Sequence, residues 1–113
     1  MTVYFYLPVY KASYDLVLET FKVVKEFNRE YKYTLGESIK REAISLIVLI
    51  YRANSKKDKK SVIVLAREKV EIIRLMIRLT KDLHQINTKK LVLANQKIEK
   101  VSKQLTGWQR SIN

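Results

Sequence analysis

Apolar side chains recur at steps of three and four residues along almost the whole chain, the period of an α-helix with one buried face. Tyr14, Val17, Phe21, Val24 and Phe27 predict a first amphipathic helix from about Tyr10. Residues 28–33 break the period. Thr34, followed three residues later by Glu37, predicts a capping box, in which hydroxyl and carboxylate each satisfy a free N–H at the start of a second helix. Leu35, Ile39, Ala43, Leu46, Ile50 and Ala53 form its core stripe, and it should end near Asn54, before the lysine-dense residues 55–60. A third helix is expected from about Lys60 to His84, facing the core with Val62, Leu65, Lys69, Ile72, Met76, Leu79 and Leu83. Lys69 is the flaw in that stripe, and its long stem would have to snorkel outward. After a joint at Ile86 and Asn87, a fourth helix carries Leu91, Ala94, Ile98, Val101, Leu105, Trp108 and Ile112 at heptad spacing.

Four helices with short joints predict an all-α fold, an up-down-up-down antiparallel four-helix bundle. Residues 1–113 are read as one domain, with 1–9 as an extended arm rich in β-formers ahead of and around Pro8. Two glycines and one proline in 113 residues leave few helix breakers. The longest apolar run, residues 43–51, is about half a membrane span, and the first ten residues lack the marks of a signal peptide. A soluble, cytoplasmic protein is expected.

The predicted stripes do not use all the apolar surface. Ile44, Ile47, Val48 and Tyr51 form a second patch on helix two, and Ile63, Val70 and Ile77 repeat every seven residues on helix three, with Val64 and Leu75 on its other flank. A monomer would leave these patches wet, so they are assigned to the interface of a homo-oligomer.

Charge points to the partner. Twenty-three Lys and Arg stand against eleven Asp and Glu, a net +12 that a polyanion would offset, and nucleic acid is the first candidate. At about 100° per residue, Arg67, Arg74, Arg78 and Lys81 share one strip of helix three, placed opposite its expected core stripe. Lys89, Lys97, Lys100 and Lys103 share a face of helix four, and Lys56, Lys57, Lys59 and Lys60 make a basic loop. Tyr31 and Tyr33, set among Arg29, Glu30 and Lys32, suit either stacking on bases or packing at the corner between helices one and two.

Catalytic chemistry has little to work with. There is no cysteine, no glycine-rich phosphate loop and no zinc-binding or di-iron histidine pattern. The single histidine, His84, is assigned to ending helix three. No cofactor, metal or enzymatic activity is expected.

Four blocks carry a family resemblance: KEFNREYKYTLGESIKREA from Lys25 to Ala43, Tyr51 to Ala53, REKVEIIRLMIRLTKDL from Arg67 to Leu83, and QLTGWQRS from Gln104 to Ser111. Together they resemble the accessory variability determinant proteins of diversity-generating retroelements, over about Tyr10 to Ser111. The chain departs from that pattern at Asn28, where the family often has proline, and at Thr106-Gly107, where it often has paired glycines. The resemblance implies a four-helix protomer in a ring-like, pentameric barrel that binds nucleic acid and partners a reverse transcriptase in mutagenic copying of a template RNA. Four-helix proteins encoded in ribosomal intervening sequences share this architecture.

The expected function is therefore that of a non-catalytic accessory protein binding RNA, DNA or their hybrid. Arg67, Arg74, Arg78 and Lys81 would contact phosphates, with the basic loop and Lys89, Lys97 and Lys100 in support. The alternative is a protein-interaction scaffold whose nucleic-acid binding is incidental.

Overall fold

The structure, a computed structural model, describes residues 8–55 and 58–112. They form four long helices and one short one: α1 (Pro8–Lys25), α2 (Arg29–Lys32), α3 (Leu35–Ser55), α4 (Lys59–Asp82) and α5 (Thr88–Ile112). No strand occurs among the described residues. The α3 helix packs on α1 and α4, while α5 packs on α4 and α1, closing a four-sided bundle with α2 against α3. The bundle measures 42 × 23 × 22 Å. Its long axis is set by the longest helices, because 25 residues at about 1.5 Å each span roughly 38 Å.

Local chemistry accounts for most helix ends. Pro8 opens α1 at a position whose N–H needs no intrahelical partner, two residues before the expected start. The helix thus includes the last two residues of the expected arm, whose remainder lies outside the described residues. The Asp58 carboxylate caps α4 by accepting from the Ser61 N–H, and the Asn87 side chain caps α5 by accepting from the Lys90 N–H at 2.9 Å. The Lys59 ammonium donates to the final carbonyls of α3, those of Ala53 and Asn54, at 3.2 and 3.1 Å. His84 ends α4 in the left-handed conformation at φ 60°. Its N–H donates to the Lys81 carbonyl and that of Gln85 donates to the Thr80 carbonyl, a Schellman arrangement. The expected capping box does not form. Thr34 donates its hydroxyl to the Glu30 carbonyl at 2.8 Å, and Glu37 pairs with Lys40 instead.

The core matches most of the expected stripes of α3 and α5, Ile112 being exposed, and of the α1 set it takes Val24 and Phe27 with Val17 packed against them, but it does not match the expected stripe of α4. Ile39, Ala43, Leu46, Ile50 and Ala53 of α3 are buried, as are Ala94, Ile98, Val101 and Leu105 of α5. In α4 the buried seam is Ile63, Ala66, Val70, Ile73, Ile77 and Thr80, so the expected core residues Leu65, Ile72 and Leu79 face outward. Both seams have helical spacing, but the expected one contains Lys69 and the observed one contains no charge. Burying an ammonium costs far more than burying a hydroxyl that bonds to its own helix. Thr80 does so, donating to the Ile77 carbonyl at 2.6 Å.

The inward face of α1 also differs from the expected one. Tyr14 and Phe21 are exposed, and Val9, Ala12, Ser13, Leu16, Thr20, Val23 and Val24 point inward. Ser13 and Thr20 satisfy themselves by donating to the carbonyls of Tyr10 and Val17, at 2.8 and 2.7 Å. Lys69 reaches Glu42 of α3 at 2.8 Å, tying the two helices together beside the core.

Candidate nucleic-acid interface

Rotation of α4 changes the surroundings of its cationic strip. Arg67, Arg74, Arg78 and Lys81 lie along one side of the helix, beside the buried seam and toward α5, not opposite the core. The Arg67 guanidinium donates to the Gln109 side-chain amide oxygen at 2.6 Å. That of Arg74 bonds to Glu71 on its own helix and to Glu99 on α5. Burial opposes the charge of Arg74, but the hydrogen bonds and charges of Glu71 and Glu99 outweigh it and hold the pKa above the usual arginine value. These two arginines clamp α4 to α5. Arg78 remains open to solvent, with a 3.4 Å contact to Asp82 between two well-exposed side chains, which is worth little in water. Lys81 is half-buried at the α4 to α5 joint, lining a groove with His84, Lys90 and Glu26.

Lysines on α5 are less engaged. Lys89, Lys100 and Lys103 are exposed on the face turned away from the core, and Lys97 is half-buried at its edge. Lys100 and Lys103 flank a shallow groove of about 470 Å³ together with Asn95, Gln96 and Glu99. Lys60 is exposed, whereas Lys59 is occupied with the α3 carbonyls. Lys56 and Lys57 lie outside the described residues.

The expected oligomer residues divide into two groups. Ile44, Val48 and Tyr51 are exposed on α3 and Ile47 is half-buried beside them. Ile63, Val70 and Ile77 are at most 1% exposed and belong to the protomer's own core, so they cannot meet a second copy. Their place on the outside is taken by Leu65, Ile72 and Leu79, with Leu75 at 70% and Val64 at 41% exposure. The outer faces of α3 and α4 therefore carry apolar seams, while α1 also exposes Tyr14, Leu18 and Phe21, and α5 exposes Val92 and Leu93 beside its lysines.

One basic cluster is not visible in the sequence pattern. Where α1 ends and α3 begins, a cleft of about 590 Å³ is lined by Phe21, Lys22, Val24, Lys25, Lys32, Tyr33, Glu37 and Lys40. The Lys40 ammonium sits over the Phe21 ring, 5.0 Å from its centroid. Of these residues the sequence singles out only Lys32 and Tyr33 as a basic and aromatic pair. The other cations come from the flanking helices α1 and α3, where no basic strip marks them, and the helical period assigns Phe21 to the core. Tyr31 packs against the core, so the corner tyrosines have separate roles.

Among the described residues no group of three or more His, Asp and Glu side chains could hold a metal ion. No described helix is long and apolar enough to cross a membrane. A family model described as bAvd-like matches residues 8–112, and the chain belongs to that family. No curated protein matches it.

Proposed function

We propose that this chain is a non-catalytic accessory protein of a diversity-generating retroelement. In this reading it acts in the cytoplasm as a ring-like homo-oligomer of up-down-up-down protomers, with five copies as in the barrel its family resemblance implies. The ring binds RNA, DNA or their hybrid and works beside a reverse transcriptase. The family match supports the accessory role. The observation that carries the binding is the set of exposed lysines on α5, Lys89, Lys100 and Lys103, while α3 and α4 expose apolar side chains through which copies could meet. Assembly through α3 and α4 leaves the lysines of every copy open, and several copies together present a dense array of cations to phosphate. Binding of that kind releases counterions and reads backbone more than sequence.

Clamping of Arg67 and Arg74 inside the protomer favours a second reading, a protein-interaction scaffold that meets nucleic acid only incidentally. Salt separates the two. RNA affinity measured from low to moderate salt should fall by orders of magnitude, and the double variant Lys100→Glu/Lys103→Glu should lower both affinity and the salt slope, by about 0.7 to 0.9 for each phosphate no longer neutralised. Tight binding indifferent to salt and to both substitutions would remove the nucleic-acid reading and leave the scaffold.

A further inference from the structure

The cleft at the end of α1 combines features that a solvated lysine surface does not need. Lys22 and Lys25 are exposed in the last turn of α1, Lys32 is half-buried on α2, and none of the three makes an ion pair among the described residues. Glu37 is the only carboxylate lining the cleft and is already engaged by Lys40 at 3.0 Å, so the lining is strongly cationic. Two aromatic rings stand among these charges. Phe21 is 43% exposed with one side taken by Lys40, and Tyr33 is 65% exposed. Leaving both rings in water costs hydrophobic energy that a folded monomer has no reason to forgo. The volume of about 590 Å³ falls within the range of roughly 300–1,000 Å³ typical of small-ligand pockets.

We propose that this cleft takes one unpaired base of a single-stranded nucleic acid. The base stacks on Tyr33 with its edge toward Phe21, and the flanking phosphates are held by Lys22, Lys25 and Lys32. Every base has a π-face and every nucleotide a phosphate, so the site accepts any sequence but requires bases free of a duplex stack. Glu37 and Lys40 of α3 wall the cleft one turn before Ile44, so an assembly that keeps it open meets farther along α3 and on α4, and each copy then contributes its own cleft. A strand would thereby be held with bases splayed at intervals, while the α5 lysines follow its backbone. The inference rests on the nucleic-acid reading above and adds strand type and binding chemistry to it.

The test uses the full chain with a short labelled single-stranded RNA and a duplex of equal length. Tyr33→Ala should weaken single-strand binding about tenfold, toward the lower end of what loss of one base stack costs, while duplex affinity and the salt slope stay unchanged. Tyr33→Phe, which keeps the ring, should restore binding. Replacing Lys22, Lys25 and Lys32 together by Gln should flatten the salt slope for the single strand. An RNA carrying 5-iodouracil should crosslink to a peptide containing Tyr33 or Phe21. Unchanged single-strand affinity in Tyr33→Ala, or equal losses for single strand and duplex, would overturn the cleft assignment yet leave general binding intact. Absence of salt-dependent binding to either nucleic acid would overturn both readings.

Discussion

Replacing Gly36 with alanine should destabilise the protein, and the same change at Gly107 should stabilise it. Both glycines are helical, Gly36 in the first turn of α3 and Gly107 within α5. An added Cβ at Gly36 would lie 2.5 Å from Val24 Cγ1, 3.2 Å from the Tyr31 carbonyl oxygen and 3.4 Å from Phe27 Cδ2. Val24 is 2% exposed, and its branched side chain has one strongly preferred rotamer in a helix. It cannot swing aside, so α3 must shift from α1. Overpacking of that kind costs about 1–3 kcal/mol, against at most about 1 kcal/mol regained from helix propensity. A net loss of about 1–2 kcal/mol lowers the melting temperature by roughly 4–16 °C for a domain near 100 residues. At Gly107 nothing lies within 4 Å of the added carbon, so only the propensity gain of up to about 1 kcal/mol remains. Thermal melts followed by helical circular dichroism at one protein concentration would measure both. A double-mutant cycle isolates the cause, because Gly36→Ala should cost much less once Val24→Ala has removed the opposing methyl. Equal effects at the two glycines, or no coupling between Gly36 and Val24, would refute the close approach of α1 and α3.

His84→Gly should raise stability by about 0.5–1 kcal/mol, because the left-handed backbone at φ 60° costs a side-chain-bearing residue about 1–2 kcal/mol and glycine's extra unfolded-state freedom returns only part of it. A lower midpoint in urea for this variant would contradict the Schellman ending of α4. Ile72→Glu with Leu79→Glu should abolish self-association in sedimentation velocity and leave the helical signal intact. Ile73→Ala, one position away from Ile72, should cost about 2–5 kcal/mol of protomer stability. Unfolding by the glutamate pair would place the outer seam inside the protomer after all.

The four long helices, most of the α3 and α5 stripes and the joint around Ile86 are legible in the sequence because each combines a clear period with a break in it. The short α2 is not, and Ser55, Lys59 and Lys60 of the expected basic loop are helical. The rotation of α1 and α4 is not legible either. Periodicity finds apolar seams but does not rank two seams on one helix, and in α4 the leucine-rich seam is the more conspicuous. Lys69 holds the decisive signal, since a charge-free seam is available one residue over. In α1 the inward positions Ser13 and Thr20 look polar in sequence, and only their short bonds to the preceding turn make them cheap to bury. Capping at Thr34 is absent because the α2 turn leads directly into α3: the Thr34 hydroxyl points back to donate to the Glu30 carbonyl, and Glu37 pairs with Lys40.

Exchange of the two seams also alters what the charge can do. With the leucine seam inside, the arginine strip would stand opposite the core and open to phosphate along its length. The observed rotation turns that strip toward α5, where Gln109 and Glu99 take up Arg67 and Arg74. Positive charge free for a polyanion then lies elsewhere, on the outer face of α5 and in the cleft beside α1. Those two helices are neighbours, α1 also packing on α3 and α5 on α4. A net charge of +12 per copy opposes assembly, so an oligomer needs its contacts on the side where apolar surface dominates. The same rotation that buries the charge-free seam of α4 provides such surface, by turning Leu65, Ile72, Leu75 and Leu79 outward. One choice of core face thus exposes the apolar surface through which, in the proposed assembly, copies of this chain meet, and turns the arginine strip from phosphate toward α5.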